Sequence, residues 1–287
     1  DEWKDTDAVE IGIYFMDSML TDFIDKTESK KAENEDYYNV LYKPSVDFAK
    51  KHRAMGMGKS GLHTYLQSKM IPFDSIMGRT IDKMSQKLIH DQAYAASRKM
   101  AIEYGKPELL KEDKYDRRHT TLLAVAPNTS SSFIMGQSSQ SIEPIVSNYY
   151  IKDVAKVRMS FRNPHLEVLL EEKGQNTPEV WLSILKNEGS VQHLDFLSKQ
   201  EKDVFKTFIE MNQLSIIEMA ADRQKYIDQS QSLNIMIGKN TTPEDVAYLM
   251  IKAWKLGVKT LYYQLNVNSA QDFTNKRSNA SCEACEA

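Results

Sequence analysis

The sequence predicts an α/β protein with parallel strand pairing, on three observations. Long amphipathic periodicities alternate with short apolar runs, the pattern of strands joined through helices. The composition is that of a globular chain, 41 % hydrophobic and 27 % charged. Its 287 residues suffice to bury a core without cross-links, and the two cysteines exclude a disulfide scaffold. Lys plus Arg number 37 and Asp plus Glu 40, a net charge of −3, so a broad nucleic-acid footprint is not expected. No apolar run reaches a membrane span, and no signal peptide opens the chain; a cytoplasmic protein without membrane contact is expected. The start, Asp1-Glu2-Trp3-Lys4, lacks Met and reads as a cut.

The first element is an amphipathic helix. Val9, Ile13, Met16, Leu20 and Phe23 fall at helical spacing, and Asp7 with Glu10 forms a capping-box pattern. Residues 27–39 are charged without an apolar period and read as an exposed loop. In 54–62 (AMGMGKSGL), Gly56, Gly58 and Gly61 argue for close backbone approach or a tight strand-to-helix turn, with a packing cluster the plainer account. The GKS ending is not a phosphate-binding P-loop, because Arg53 stands where that loop needs its first glycine.

A long helix is expected from Ser75 to Tyr104, striped by Met77, Ile81, Met84, Leu88, Ala95 and Met100, and stopped by Gly105 and Pro107. Thr120–Ala126 reads as a buried strand ending at Pro127. Thr177-Pro178-Glu179 and Thr242-Pro243-Glu244-Asp245 are helix starts with Pro in the first turn, and Gly257 closes the second of these helices. Leu214–Tyr226 reads as a helix, Leu233–Ile237 and Lys259–Leu265 as strands. The polar, aperiodic stretch after Asn266 reads as a flexible tail.

Four constellations could carry chemistry. Pro127-Asn128-Thr129-Ser130-Ser131-Ser132 joins the apolar run to a helix start, where free N–H groups, the helix dipole and hydroxyls suit an anion. An ordinary N-cap is the plainer account of the same residues. Tyr262-Tyr263 lies in an apolar strand, where neighbours point to opposite faces, so the rings meet only if the backbone distorts. On the residues alone, burial of two amphipathic rings explains them. Cys282-Glu283-Ala284-Cys285 suits thiol–disulfide exchange better than half a zinc site, with incidental surface cysteines as the alternative. Asp228-Gln229-Ser230-Gln231-Ser232 suits a cap or a site lining equally.

These stretches together resemble the large subunit of class I ribonucleotide reductase. The resemblance rests on LAVAPNTSSSFIMG with Ile142-Glu143-Pro144 following, YIDQSQSLNI (Tyr226–Ile235), AWKLGVKTLYYQ (Ala253–Gln264), RAMGMGKSGLHTYLQSKMIPF (Arg53–Phe73) and the terminal dithiol, in the family's order. It implies the C-terminal portion of a ten-stranded α/β barrel over residues 1–266, with a flexible redox tail over 267–287. It implies radical reduction of ribonucleoside diphosphates to deoxyribonucleotides for DNA synthesis. Pro127, Asn128, Thr129, Ser130 and Ser131 would hold the substrate diphosphate. Tyr262 and Tyr263 would relay the radical, and Cys282 with Cys285 would be the shuttle dithiol reduced by thioredoxin or glutaredoxin.

The resemblance also implies what the chain lacks. The family's thiyl-forming cysteine, its substrate-reducing cysteine pair and its regulatory nucleotide sites lie upstream of the matched region, and this chain has no cysteine before Cys282. No metal or cofactor is expected on the chain itself; the radical would come from the metal cofactor of a small subunit. The expectation is less than half of such a subunit, the C-terminal piece of a split subunit or else a product of cleavage, splicing or truncation, that needs an N-terminal partner and is inactive alone. The alternatives are a module that only docks the small subunit, and a thiol-redox carrier.

Overall fold

The computed structural model describes residues 5–266, except positions 113, 137, 155, 156 and 239. Cys282, Cys285 and the expected tail 267–287 lie outside the described residues. The elements are α1 (Ala8–Ser29), α2 (Glu35–Leu41), α3 (Lys43–His52), α4 (Leu62–Ser68), α5 (Ile76–Tyr104), α6 (Thr129–Ile134), β1 (Tyr149–Val154), β2 (Val157–Arg162), α7 (Pro164–Glu172), α8 (Pro178–Lys186), α9 (Lys199–Val204), α10 (Gln213–Gln224), β3 (Ile235–Ile237), α11 (Pro243–Lys255) and β4 (Gln264–Asn266). Two compact units divide them. The first holds residues up to Gly58 with Lys83–Val125 and Arg223–Ser230; the second holds Lys59–Asp82, Ala126–Asp222 and the residues from Gln231.

In the first unit, α1 buries Val9, Ile13 and Ile24, with Phe23 turned outward. The expected capping box does not form: Asp7 is the N-cap but makes no side-chain cap bond. The stripe also carries a buried carboxylate, Asp17. Residues 27–39 are largely exposed, but Tyr38 is buried, and the stretch is mostly helical rather than a loop. Local signals account for this. Lys30 pairs with Glu33 at 2.7 Å and Lys31 with Glu35 at 3.0 Å. The Asn34 side chain caps α2 by accepting from the Tyr37 N–H. In α5 the buried face runs through Ile89, Ala93, Ala96 and Met100, whereas Met77 and Met84 of the expected stripe are exposed. The apolar period alone misplaced that face because its N-terminal part buries Asp82 and Gln86 instead.

Thr120–Ala126 is extended, but it is not a strand of a regular sheet. Its Leu123 makes an isolated parallel bridge with Met57. On one side Met57 N–H donates to Leu122 O (2.7 Å) and Ala124 N–H to Met57 O (3.1 Å). On the other, Gln229 N–H donates to Leu123 O (3.1 Å) and Val125 N–H to Ser230 O (3.2 Å). Asp228 completes the junction: its Oδ2 accepts from the N–H groups of Leu122 (2.7 Å) and Leu123 (2.9 Å), and its Oδ1 accepts from the Tyr94 hydroxyl. Burial and that carboxylate push the Tyr94 phenol up to about 12. Gln229 Nε2 donates to Met55 O (2.7 Å) and Thr121 Oγ1 (3.1 Å). The polar cluster at 228–229 is therefore a backbone clasp.

Gly56 and Gly58 pack closely as expected, whereas Gly61 takes a left-handed turn, φ 78°, into α4. A Cβ on Gly56 would stand 2.9 Å from Ala124 Cβ, and one on Gly58 only 2.6 Å from the Ala124 carbonyl oxygen. That second contact is with backbone, which cannot rotate away. Gly58→Ala is expected to lower stability by about 1–3 kcal/mol, read as a shift of the urea midpoint; an unchanged midpoint would contradict this packing.

The second unit centres on Leu166, Leu170, Trp181, Ile184, Val204 and Phe205. Its helices obey the expected start signals. Thr177 caps α8, and Thr242 with Asp245 forms a full capping box at α11. Among the described strands, β1 and β2 form an antiparallel hairpin, Tyr149↔Arg162 to Val154↔Val157, which the sequence did not announce. β3 and β4 pair in parallel as expected, Ile235↔Gln264 to Ile237↔Asn266, but they are shorter than the expected Leu233–Ile237 and Lys259–Leu265, and Tyr262 and Tyr263 precede β4. No closed barrel forms among the described residues, since each sheet has two strands and closure requires two neighbours for every strand.

Candidate functional site

The hydroxyl-rich turn follows the extended segment directly and opens α6. Asn128 sits at the helix N-cap with φ 56°, a left-handed conformation that Asn tolerates well. Its side chain makes no cap bond. Thr129, Ser130 and Ser131 are exposed, and Pro127 and Asn128 are half-buried. Thr129 Oγ1 donates to Gln140 Oε1 at 3.1 Å, and Ser132 Oγ donates to Thr129 O at 2.8 Å. The turn thus presents hydroxyls and first-turn N–H groups to the outside, a geometry that can hold an anion.

Ser132 is buried and lines a cavity of about 320 Å³. Its walls include Gln67, Glu143, Asn148, Tyr150 and Asn163. Asn163 Nδ2 donates to Gln67 Oε1 (3.1 Å) and Asn148 Oδ1 (2.8 Å), and Asn148 Nδ2 donates to Phe205 O (2.7 Å). Beside it His63 is fully buried, and burial holds its imidazole down at about 3, so it stays neutral. Its Nδ1 accepts from the Ile145 N–H at 3.0 Å. Sequence reading missed this amide cluster, whose members are scattered from position 67 to 163 and signal nothing locally.

Tyr262 and Tyr263 are both about half exposed, with ring centroids 4.0 Å apart and planes inclined at 47°. Adjacent residues of a regular strand cannot do this. The hydrogen bonds show the distortion. Regular parallel pairing carried back from Ile235↔Gln264 would make Leu233 O accept from Tyr263. Leu233 O accepts from the Tyr262 N–H instead, at 2.8 Å, while Ile235 N–H donates to Tyr263 O at 3.1 Å. The tyrosine segment therefore carries one extra residue, a bulge that turns neighbouring side chains together. Its signal could not be read from one segment, since it depends on register against residues nearly thirty positions earlier. The Tyr263 side chain bonds Tyr262 and pushes its phenol above the ordinary tyrosine value.

The turn and the tyrosine pair belong to the same unit. Among the described residues no group of three His, Cys, Asp or Glu side chains is placed to hold a metal. No helix there is long and apolar enough to cross a membrane.

The described helices and strands make this a mixed α/β chain. Comparison with known proteins narrows this. The family model "Ribonucleotide reductase, barrel domain" matches residues 5–119 and 108–264, and the chain belongs to that family. It is 38 % identical over 280 residues to the ribonucleoside-diphosphate reductase large subunit of Invertebrate iridescent virus 3, covering 90 % of this chain and 43 % of that protein. It is 36 % identical over 264 residues to the putative large subunit of Frog virus 3, covering 92 % and 45 %. Among solved structures it is similar to the class Id ribonucleotide reductase alpha subunit of Actinobacillus ureae, with TM-score 0.82 and 45 % identity, covering 93 % of this chain and 48 % of that one. The chain thus spans less than half the length of these relatives.

Proposed function

We propose that this chain is the C-terminal part of the catalytic barrel of a class I ribonucleoside-diphosphate reductase large subunit, residues 1–266, followed by a redox tail, 267–287. The observation that carries the reading is the paired tyrosine rings, 4.0 Å apart, in a chain of this family. A phenol can lose an electron and a proton together, and two touching rings can hand the hole along. In this reading the radical arises at the metal cofactor of a small subunit and passes through Tyr262 and Tyr263 to a cysteine on the N-terminal part of the large subunit. The turn from Pro127 to Ser131 holds the substrate diphosphate with its N–H groups and hydroxyls. Cys282 and Cys285 give two electrons and two protons to an active-site disulfide, become a disulfide themselves, and are re-reduced by thioredoxin or glutaredoxin. The chain works in the cytoplasm and binds neither membrane nor nucleic acid.

The reading is tested by mixing the chain with a matching N-terminal part, the small subunit, thioredoxin and a ribonucleoside diphosphate. Deoxynucleotide is expected only from the full mixture, and none from the chain with the small subunit alone, because the chain has no cysteine before Cys282. Cys282→Ser or Cys285→Ser should allow about one turnover and then stop. Small-subunit binding without turnover in the full mixture would identify a docking module. Thioredoxin-linked disulfide cycling indifferent to Tyr262 and Tyr263 would identify a redox carrier. Either result overturns the proposal.

A further inference from the structure

The bulge that brings Tyr262 and Tyr263 together leaves one backbone N–H without a strand partner. In a regular ladder each donor meets a carbonyl of the neighbouring strand, whereas the extra residue of a bulge drops out of that pattern. Here the displaced donor is the Tyr263 N–H. It is taken up by a side chain: Asn234 Oδ1 accepts it at 3.0 Å. Asn234 is 8 % exposed, inside the otherwise apolar run Leu233–Ile237, where an unbonded amide would be costly.

Asn234 is itself fixed from the far side. Its own N–H donates to Glu143 Oε1 at 3.3 Å, and Glu143 is 7 % exposed. Two residues on, the Met236 N–H donates to Gln213 Oε1 at 2.8 Å. The edge of the Leu233–Ile237 segment away from β4 is thus held by two side-chain acceptors. This segment cannot slide along its axis without breaking both bonds, so its one side-chain acceptor toward the tyrosines sits at a fixed height.

We infer that Asn234, seated by Glu143, is a positioning residue that locks the bulge and thereby holds the two tyrosine rings in contact. Its functional weight rests on the relay reading above; the lock itself does not. Asn is suited to the task because its short amide reaches a backbone donor one strand away, as Asn does in turns. Asp at this position would keep the acceptor in the same place, whereas Ala or Leu would remove it.

The lock is tested on the full chain. In wild type, amide hydrogen exchange at Tyr263 is expected to be protected to the level of Ile235, although Tyr263 is 57 % exposed. A Tyr263 amide exchanging at the free rate would overturn the lock without any variant being made. With 3-fluorotyrosine at position 262, ¹⁹F NMR reads the phenol titration. Asn234→Ala should return the Tyr262 titration toward that of a free fluorotyrosine, and Asn234→Asp should keep it raised. Equal titrations in Asn234→Ala and wild type would overturn the proposal, as would a loss of thermal stability shared by Ala and Asp with no difference in titration. In the reconstituted enzyme, Asn234→Ala should lower kcat about 100-fold with little change in KM, the cost of an ångström-scale misplacement. Full turnover by Tyr262→Phe would sink the relay and leave the lock standing, whereas an unprotected Tyr263 amide would sink the lock and leave the relay standing.

Discussion

Replacing Tyr262 or Tyr263 by Phe in the reconstituted enzyme is expected to reduce deoxynucleotide formation to background, with the circular dichroism spectrum and melting temperature unchanged. Phe keeps the ring and its packing but has no O–H, so it cannot release a proton as the electron leaves. Both side chains are about half exposed, so little buried hydrogen bonding is lost with either hydroxyl. This separation of stability from activity is the diagnostic part. A structural tyrosine pair would lose stability and keep turnover; a relay pair loses turnover and keeps stability. Retained activity in either variant would refute the relay assignment. The two variants should also differ in titration. Tyr263→Phe removes the hydroxyl that raises the Tyr262 phenol, so the remaining tyrosine should titrate lower than in wild type.

The second large effect is expected at Asp17, on stability. Its carboxylate accepts from Arg53 Nε at 2.6 Å, His119 Nε2 at 3.0 Å and Arg118 Nε at 3.3 Å, with its side chain 7 % exposed. Arg53 also donates to Thr21 Oγ1 and to the Asp17 carbonyl, while Ser97 bonds the other ring nitrogen of His119. Burial would raise the carboxyl pKa, but the hydrogen bonds from His119 and Arg53 and the charges of Arg53 and Arg118 outweigh it and hold it at about 2. Removing the carboxylate leaves the buried Arg53 guanidinium, and the partly buried Arg118 beside it, without their anion. Asp17→Ala should therefore cost about 3–5 kcal/mol, measured by urea unfolding at neutral pH. The pH dependence has a definite sign. A depressed carboxylate stabilises fully above its unfolded value near 3.8, and that stability is lost as the pH falls toward about 2. The shift corresponds to about 2 kcal/mol. Wild type should lose this between pH 4 and 2, and the Ala variant should show no such limb from this residue. A cost below about 1 kcal/mol would show the cluster to be as weak as a surface ion pair.

The sequence disclosed those parts of the fold whose cause is local. Thr242-Pro243 starts α11, and Gly257, at φ 81°, ends it, because both obey backbone preferences that need no tertiary information. Gly105, at φ 78°, ends α5 for the same reason. Asp17 was invisible, because a periodicity argument places a carboxylate outside and its partners lie up to a hundred positions away. Residues 27–39 were misread because ion pairs and an Asn cap sustain helix without an apolar stripe. Of the candidate site, the turn at 127–131 was legible as strand-end chemistry, but the ring contact was not. Only the family resemblance suggested that the tyrosines act together, and the bulge that lets them do so depends on pairing with Leu233 and Ile235.

The bulge also limits which sequences this fold can accept. Its extra residue needs a free backbone donor at position 263 and a short side-chain acceptor at position 234, so the two positions are constrained together although they lie in different segments. Proline at 263 would delete the donor, and an aliphatic residue at 234 would leave that donor without its protein acceptor. A deletion of one residue between Leu261 and Gln264 would restore a regular ladder and swing one ring to the opposite face. Drift in this region is therefore expected to move through Asn, Asp or Ser at 234, with the length of the tyrosine segment held constant while its apolar flanks vary freely.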